Sequence, residues 1–180
     1  KNLTDSEIVD ICIEKKEDIL KENSKNIAGL VMESGAQIAG GVSIYPNTYQ
    51  KRVSDLCKKY DVLLILDEIA TGFGRLGNMI EYLAQSSKPD IVCYGKALNG
   101  GYFPIAVTLA TDEIYKEFLS EYGENKQFPK KNRFLSLENG YHGDTIATMS
   151  MGYVDRYFNP YKSLLIRTFR TPAPSSFEND

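Results

Sequence analysis

Tryptophan is absent from this 180-residue chain, histidine occurs once, at His142, and cysteine three times, at Cys12, Cys57 and Cys93. A single histidine excludes a metal centre built from several imidazoles. The scattered thiols contain no CxxC pair, so they form neither a zinc knuckle nor a disulfide framework. They read as reduced core thiols of an intracellular, cytoplasmic protein. Positive charge is also short, with 21 Lys and Arg against 24 Asp and Glu. No cation excess exists to displace counterions from nucleic-acid phosphates. The longest apolar run, residues 62–66, is far too short to span a bilayer, and the opening Lys-Asn-Leu-Thr-Asp-Ser-Glu has no apolar core of a secretory leader. Nucleic acid and membrane are therefore not expected as partners. What remains, 42% hydrophobic and 25% charged residues, is the mix of a folded globular domain.

The pattern along the chain alternates. Thr4 and Glu7 have capping-box spacing, and Ile8, Cys12 and Ile19 then recur on one helical face, predicting a helix to about residue 22. Residues 27–32 and 62–66 read as apolar strands, the first buried on both faces, the second continuously apolar as central parallel strands are. Between them Tyr49, Val53, Leu56, Cys57 and Tyr60 have helical spacing. Further strands are expected at 90–94, 104–110, 134–137 and 164–169, with helices at 78–85, 112–119 and from about Asp144. Residues 71–77 read as a glycine loop, 120–132 as a polar linker and 171–180 as a loop or disordered tail. The alternation predicts an α/β fold with a mainly parallel sheet flanked by helices.

Three stretches carry candidate chemistry. The apolar strand ending in Asp67-Glu68-Ile69-Ala70-Thr71-Gly72-Phe73-Gly74-Arg75 puts a carboxylate at the carboxyl edge of the sheet, where open α/β sheets collect ligands. A buried carboxylate there needs a cationic or donor partner; the plainer alternative is a surface aspartate opening a turn. A second strand delivers Lys96 into Gly-Lys-Ala-Leu-Asn-Gly-Gly, where apolar and glycine neighbours suit an amine nucleophile. The third stretch, Glu-Asn-Gly-Tyr141-His142-Gly-Asp144-Thr, presents a phenol, an imidazole and a carboxylate on one glycine-flanked turn. His142 and Tyr141 could equally be structural. No Gly-x-Ser-x-Gly elbow is present.

Together the three stretches resemble the class III pyridoxal-phosphate-dependent aminotransferases, and Met-Glu33-Ser-Gly-Ala-Gln is similar to the family's Glu-Pro-x-x-Gln element with Ser34 in place of Pro. Ala70 and the wording around Tyr141 are most similar to the branch of biotin synthesis that moves an amino group from S-adenosylmethionine to 8-amino-7-oxononanoate. The resemblance implies a fold-type I large domain, pyridoxal 5'-phosphate as cofactor and a homodimer. It also implies roles: Lys96 carrying the cofactor on its amine and moving the substrate proton, Asp67 pairing with the pyridine nitrogen, Tyr141 and Ile69 packing the two ring faces, and His142 beside them. Asp144 and Arg75 would lie near the substrate, and Glu33 would hold the turn by a salt bridge. A relative with another ω-amino donor, or an α/β module without the chemistry, are the alternatives. Metal ligands are not implied.

Two departures from the family follow. Residues 133–180 correspond to a part that precedes residues 1–128 in the family, so 1–180 reads as one partial, circularly permuted large domain with the joint in the 120–132 linker. The glycine/serine phosphate loop, the partner's His-Gly-x-Thr segment, the N-terminal arm and the small domain have no counterpart. Phosphate binding draws on several backbone amides at a helix N-terminus, so this chain alone is expected to be inactive, and its uncovered apolar faces are expected to associate.

Overall fold

The computed structural model describes residues 3–124 and 131–174. Helix α1 (Asp5–Asn23) opens on the expected capping box: Thr4 N–H donates to Glu7 at 2.8 Å and Glu7 N–H to the Thr4 hydroxyl at 3.4 Å. Then come β1 (Ile27–Glu33), a short hairpin of β2 (Ala36–Gln37) and β3 (Ser43–Ile44), α2 (Tyr49–Lys59), β4 (Leu63–Asp67), α3 (Glu81–Ala84), β5 (Ile91–Tyr94), β6 (Val107–Ala110) and α4 (Asp112–Glu124). Beyond the undescribed stretch lie β7 (Arg133–Leu137), α5 (Ile146–Met151), α6 (Asp155–Phe158), a 3-10 turn over Asn159–Leu164 and β8 (Phe169–Thr171).

Six strands form one sheet in the order β6-β5-β4-β1-β7-β8, parallel throughout except for β5 and β6. Leu30, Met32, Leu64, Leu66, Leu135 and Leu137 share one face and meet Ile8, Val9, Cys12, Val53 and Leu56 of α1 and α2 in the main core. Alternation along β1, β4 and β7 sends every second side chain there. β1 is buried on both faces, as expected. β4 is not: Leu63, Ile65 and Asp67 on its second face are only half-buried.

One core residue is a cation. Lys16 is fully buried, its Nζ donating to the carbonyls of Pro172 at 2.7 Å and Cys12 at 3.3 Å, with the Tyr49 ring centroid 5.1 Å away. Burial pulls its pKa down to about 8. The bond to Pro172 fastens α1 to the chain leaving β8.

Several expectations are corrected. α4 runs on through residues 120–124, the start of the expected linker; glutamates favour helix and no proline intervenes before Pro129. Of the linker, 125–130 lie outside the described residues. The helix expected over 78–85 shrinks to α3, because Phe73 and Gly74 N–H donate to the Met79 and Asn78 carbonyls and hold 78–79 in the preceding loop. The strand expected over 164–169 is displaced to β8. Pro160 favours the first turn of the 3-10 segment, and Ile166 N–H donates sideways to the Ser150 hydroxyl at 2.8 Å. Thr171 and Ala173, placed in a loose tail, are buried, and Glu138 N–H donates to the Thr171 carbonyl at 3.0 Å; 175–180 lie outside the described residues.

Candidate functional site

Strands β1, β4, β5 and β7 point the same way, so their carboxyl ends form a continuous edge. The register sets Glu33 beside Asp67 and Asp67 beside Cys93, in one row on one face. Asp67 ends β4 with its side chain 12% exposed. Its Oδ1 accepts from Ile69 N–H at 3.0 Å, and its Oδ2 lies 2.9 Å from His142 Nδ1. The His142 side chain is 5% exposed, and its Nε2 is buried with no hydrogen-bond partner among the described residues. Asp67 is therefore a held, inward carboxylate, not a turn-opening surface residue. Each of its oxygens keeps acceptor capacity beyond these bonds.

The adjacent Glu68 points the other way. It is fully buried and accepts from Glu81 N–H at 3.1 Å and Tyr82 N–H at 2.6 Å, anchoring the start of α3. Burial raises its pKa, with the two amides pulling against that rise. Glu33 is buried and its pKa is raised, again chiefly by desolvation. It holds the Tyr141 turn, but through backbone amides: Ile38 N–H donates at 2.9 Å and Tyr141 N–H at 3.4 Å. No salt bridge to Glu33 forms among the described residues, correcting that expectation.

The turn itself sits close against two neighbouring backbones. A Cβ at Gly40 would overlap the Asn139 carbonyl oxygen, and one at Gly152 the Gly140 carbonyl oxygen. Gln37 Nε2 donates to the Glu138 carbonyl at 2.7 Å, adding a third hold. Tyr141 donates its hydroxyl to Asp144 at 2.9 Å, which raises the phenol pKa. Its ring stacks on Phe158, with centroids 5.9 Å apart and planes 16° from parallel.

Lys96 begins a 3-10 turn immediately after β5, at φ 43°, a left-handed conformation rare for a side-chain-bearing residue. Such strain collects at functional sites. Its side chain is exposed, unlike the apolar setting its sequence neighbours suggested. Gly95 before it packs on Ile69, since a Cβ there would lie 3.2 Å from Ile69 Cγ2. Ile69 thus joins the Asp67 loop to the Lys96 loop. Arg75 is exposed on the 71–77 loop and forms no ion pair among the described residues, so Asp144 and Arg75 are not brought together as a pair.

A cavity of about 540 Å³ adjoins Tyr141 and Asp144 and is walled by Tyr157, Phe158, Tyr161 and Met149. Another, of about 530 Å³, opens beside residues at the amino ends of β4 and β5, away from the glycine turns. There Lys51 pairs with Asp55 at 2.5 Å and Asp90 accepts from Leu64 N–H. Among the described residues no group of three or more possible ligands could hold a metal, and no helix is long and apolar enough to cross a membrane. Sequence reading missed the Glu33 amide clamp, the buried Glu68 and the aromatic wall at 157–161. The acidic pair Asp67-Glu68 carried a readable signal, since side chains next to each other at a strand end tend to face opposite ways.

The aminotransferase class III family model matches residues 2–124. The chain belongs to the class III aminotransferase family. Its curated relatives include the adenosylmethionine-8-amino-7-oxononanoate aminotransferases of Aquifex aeolicus, 44% identical over 74% of the chain, and Methanocaldococcus jannaschii, 41% identical over 74%. The chain spans about a quarter of their length, 26% and 27% respectively. Among solved structures, an (S)-enantioselective ω-transaminase from Thermomicrobium roseum superposes with a TM-score of 0.64 at 34% identity, covering 72% of this chain and 29% of that one. Ornithine aminotransferase of Plasmodium yoelii gives 0.53 at 39% identity, covering 57% and 26%. The sheet and helices are thus those of a class III aminotransferase, in part.

Proposed function

We propose that this chain carries part of the pyridoxal-phosphate edge of a class III aminotransferase, and that the whole protein transfers the amino group of S-adenosylmethionine to 8-amino-7-oxononanoate in biotin synthesis. The observation that carries the reading is Asp67, half-buried at the sheet edge, held between Ile69 N–H and His142 Nδ1 and one strand from Lys96. The names of the relatives from Aquifex and Methanocaldococcus support the substrates.

The residues present fit the cofactor's chemical parts. Asp67 offers a carboxylate with spare acceptor capacity to a cationic ring nitrogen, and Lys96 offers an exposed primary amine to an aldehyde. The face of Tyr141 away from Phe158 is a stacking surface. Bound pyridoxal phosphate supplies an electron sink for the substrate's Cα electrons. Asp67 would hold a proton on the ring nitrogen, and His142, as its Nδ1–H tautomer, would fix the orientation of Asp67. Lys96 Nζ would take the substrate proton and return it. Ile69, packed on Gly95, keeps the two loops at a set spacing.

The protein is further read as a cytoplasmic homodimer whose segments 133–180 and 1–128 stand in reverse order to those of its relatives. The seating of Pro172 on Lys16 supports that order, because it brings the far end of 133–174 against α1.

Borohydride reduction of the chain in the presence of pyridoxal phosphate, followed by peptide mapping, tests the reading. Label is expected on Lys96, and Asp67→Asn should cut its yield at least about tenfold through loss of the charge-assisted bond. Label spread evenly over the surface lysines would overturn it.

A further inference from the structure

The cavity beside Tyr141 has a composition that the cofactor chemistry does not explain. Four of its walls are aromatic: Tyr141, Tyr157, Phe158 and Tyr161. Asp144 is its one charged side chain, and no Lys or Arg lines it. Tyr157 and Tyr161 come from α6 and the 3-10 turn after it, and are 51% and 48% exposed, whereas Phe158 between them is 2% exposed and backs Tyr141. Two open phenol rings thus share the cavity with a stacked pair whose inner ring is buried. A purely apolar ligand would not need Asp144, and an anion would be repelled by it. A compact organic cation gains from ring faces and carboxylate together, since aromatic quadrupoles attract cations that shed water easily.

We propose that Tyr157 and Tyr161, with Tyr141, Phe158 and Asp144, form a subsite for an alkylammonium or sulfonium group, and that Tyr157 and Tyr161 determine specificity for that cationic end of the substrate. The proposal rests on the aminotransferase reading for the identity of the substrate, but not for the binding itself. Ring faces alone suffice for a sulfonium, which has no N–H to donate. A primary ammonium also needs the Asp144 oxygens as acceptors. The two sources therefore respond differently to Asp144→Asn: binding of a primary ammonium is lost, whereas that of a sulfonium only weakens.

The test titrates the 180-residue chain, carrying labelled tyrosine, with trimethylsulfonium, butylammonium and the neutral isostere tert-butanol, following tyrosine ring resonances by NMR. One or both cations are expected to shift Tyr157 and Tyr161, with tert-butanol at least about tenfold weaker. Tyr157→Ala with Tyr161→Ala should weaken the bound cation about tenfold or more, whereas the paired Phe variants should retain it. Both residues are half-exposed, and circular dichroism of each variant confirms its fold. Equal binding of tert-butanol, or cation shifts scattered over unrelated tyrosines, overturns the subsite. Neither outcome alters borohydride labelling of Lys96, so failure of the subsite and failure of the aminotransferase reading appear in different measurements.

Discussion

Lys16 offers the sharpest physical test of the fold. Its ammonium is buried against two carbonyls and the Tyr49 face, and its pKa falls from 10.5 to about 8. At 1.36 kcal/mol per pKa unit, the charged form carries a penalty of about 3 kcal/mol at neutral pH. The native state sheds this proton near pH 8 while the unfolded chain keeps it to about 10.5, so between these values the unfolded state binds more protons and stability rises with pH. Cys57 acts in the opposite sense: burial pushes its thiol up to about 12, so above about 9 the unfolded chain loses a proton that the native state retains. The clean window is therefore pH 8–9, where Lys16 should add about 1 kcal/mol. Urea unfolding followed by circular dichroism at half-unit steps, on wild type and Lys16→Met, isolates the effect because other groups cancel in the difference. Methionine removes the desolvated charge but orphans the Pro172 carbonyl at a cost of about 1–3 kcal/mol, so the two effects nearly cancel at pH 7. The wild-type-minus-variant difference must nevertheless grow by about 1 kcal/mol from pH 8 to 9. A difference that stays flat refutes a buried, titrating ammonium.

Other perturbations have simpler readouts. Gly152→Ala drives a methyl group into the Gly140 carbonyl, and should cost about 2–3 kcal/mol in urea unfolding while loosening the Tyr141 turn. Glu68→Gln keeps the shape but weakens the acceptors for Glu81 and Tyr82 N–H; a loss of about 1–2 kcal/mol is expected, with earlier amide exchange in α3. Lys96→Gly relieves a left-handed strain of about 1 kcal/mol, offset in part by glycine's chain entropy. That variant should unfold at or above the wild-type urea midpoint while losing all pyridoxal-phosphate labelling at position 96.

The strands that end at Asp67 and just before Lys96 were legible because an apolar run interrupted by a charge or glycine has one simple reading at a sheet edge. The capping box at Thr4 was equally plain, being purely local. What escaped the sequence depends on contacts between distant segments. Nothing near Glu33 announces that Ile38 and Tyr141 will donate to it. Lys16 looks like any surface lysine on a charged helix until Pro172 and Tyr49 arrive around it. The strand expected at 164–169 failed for the same reason, since Ser150 captured the Ile166 amide. The mutual placement of Asp67 and His142 emerged only once β4 and the turn after β7 shared an edge.

Among the described residues β6 is held by one neighbour, β5, and its residues 108–110 are exposed. A border strand of this kind peels without disturbing the interior. Deuterium should therefore enter β6 before it reaches β1 and β4, and the cooperative melting unit of the molecule is smaller than its sheet.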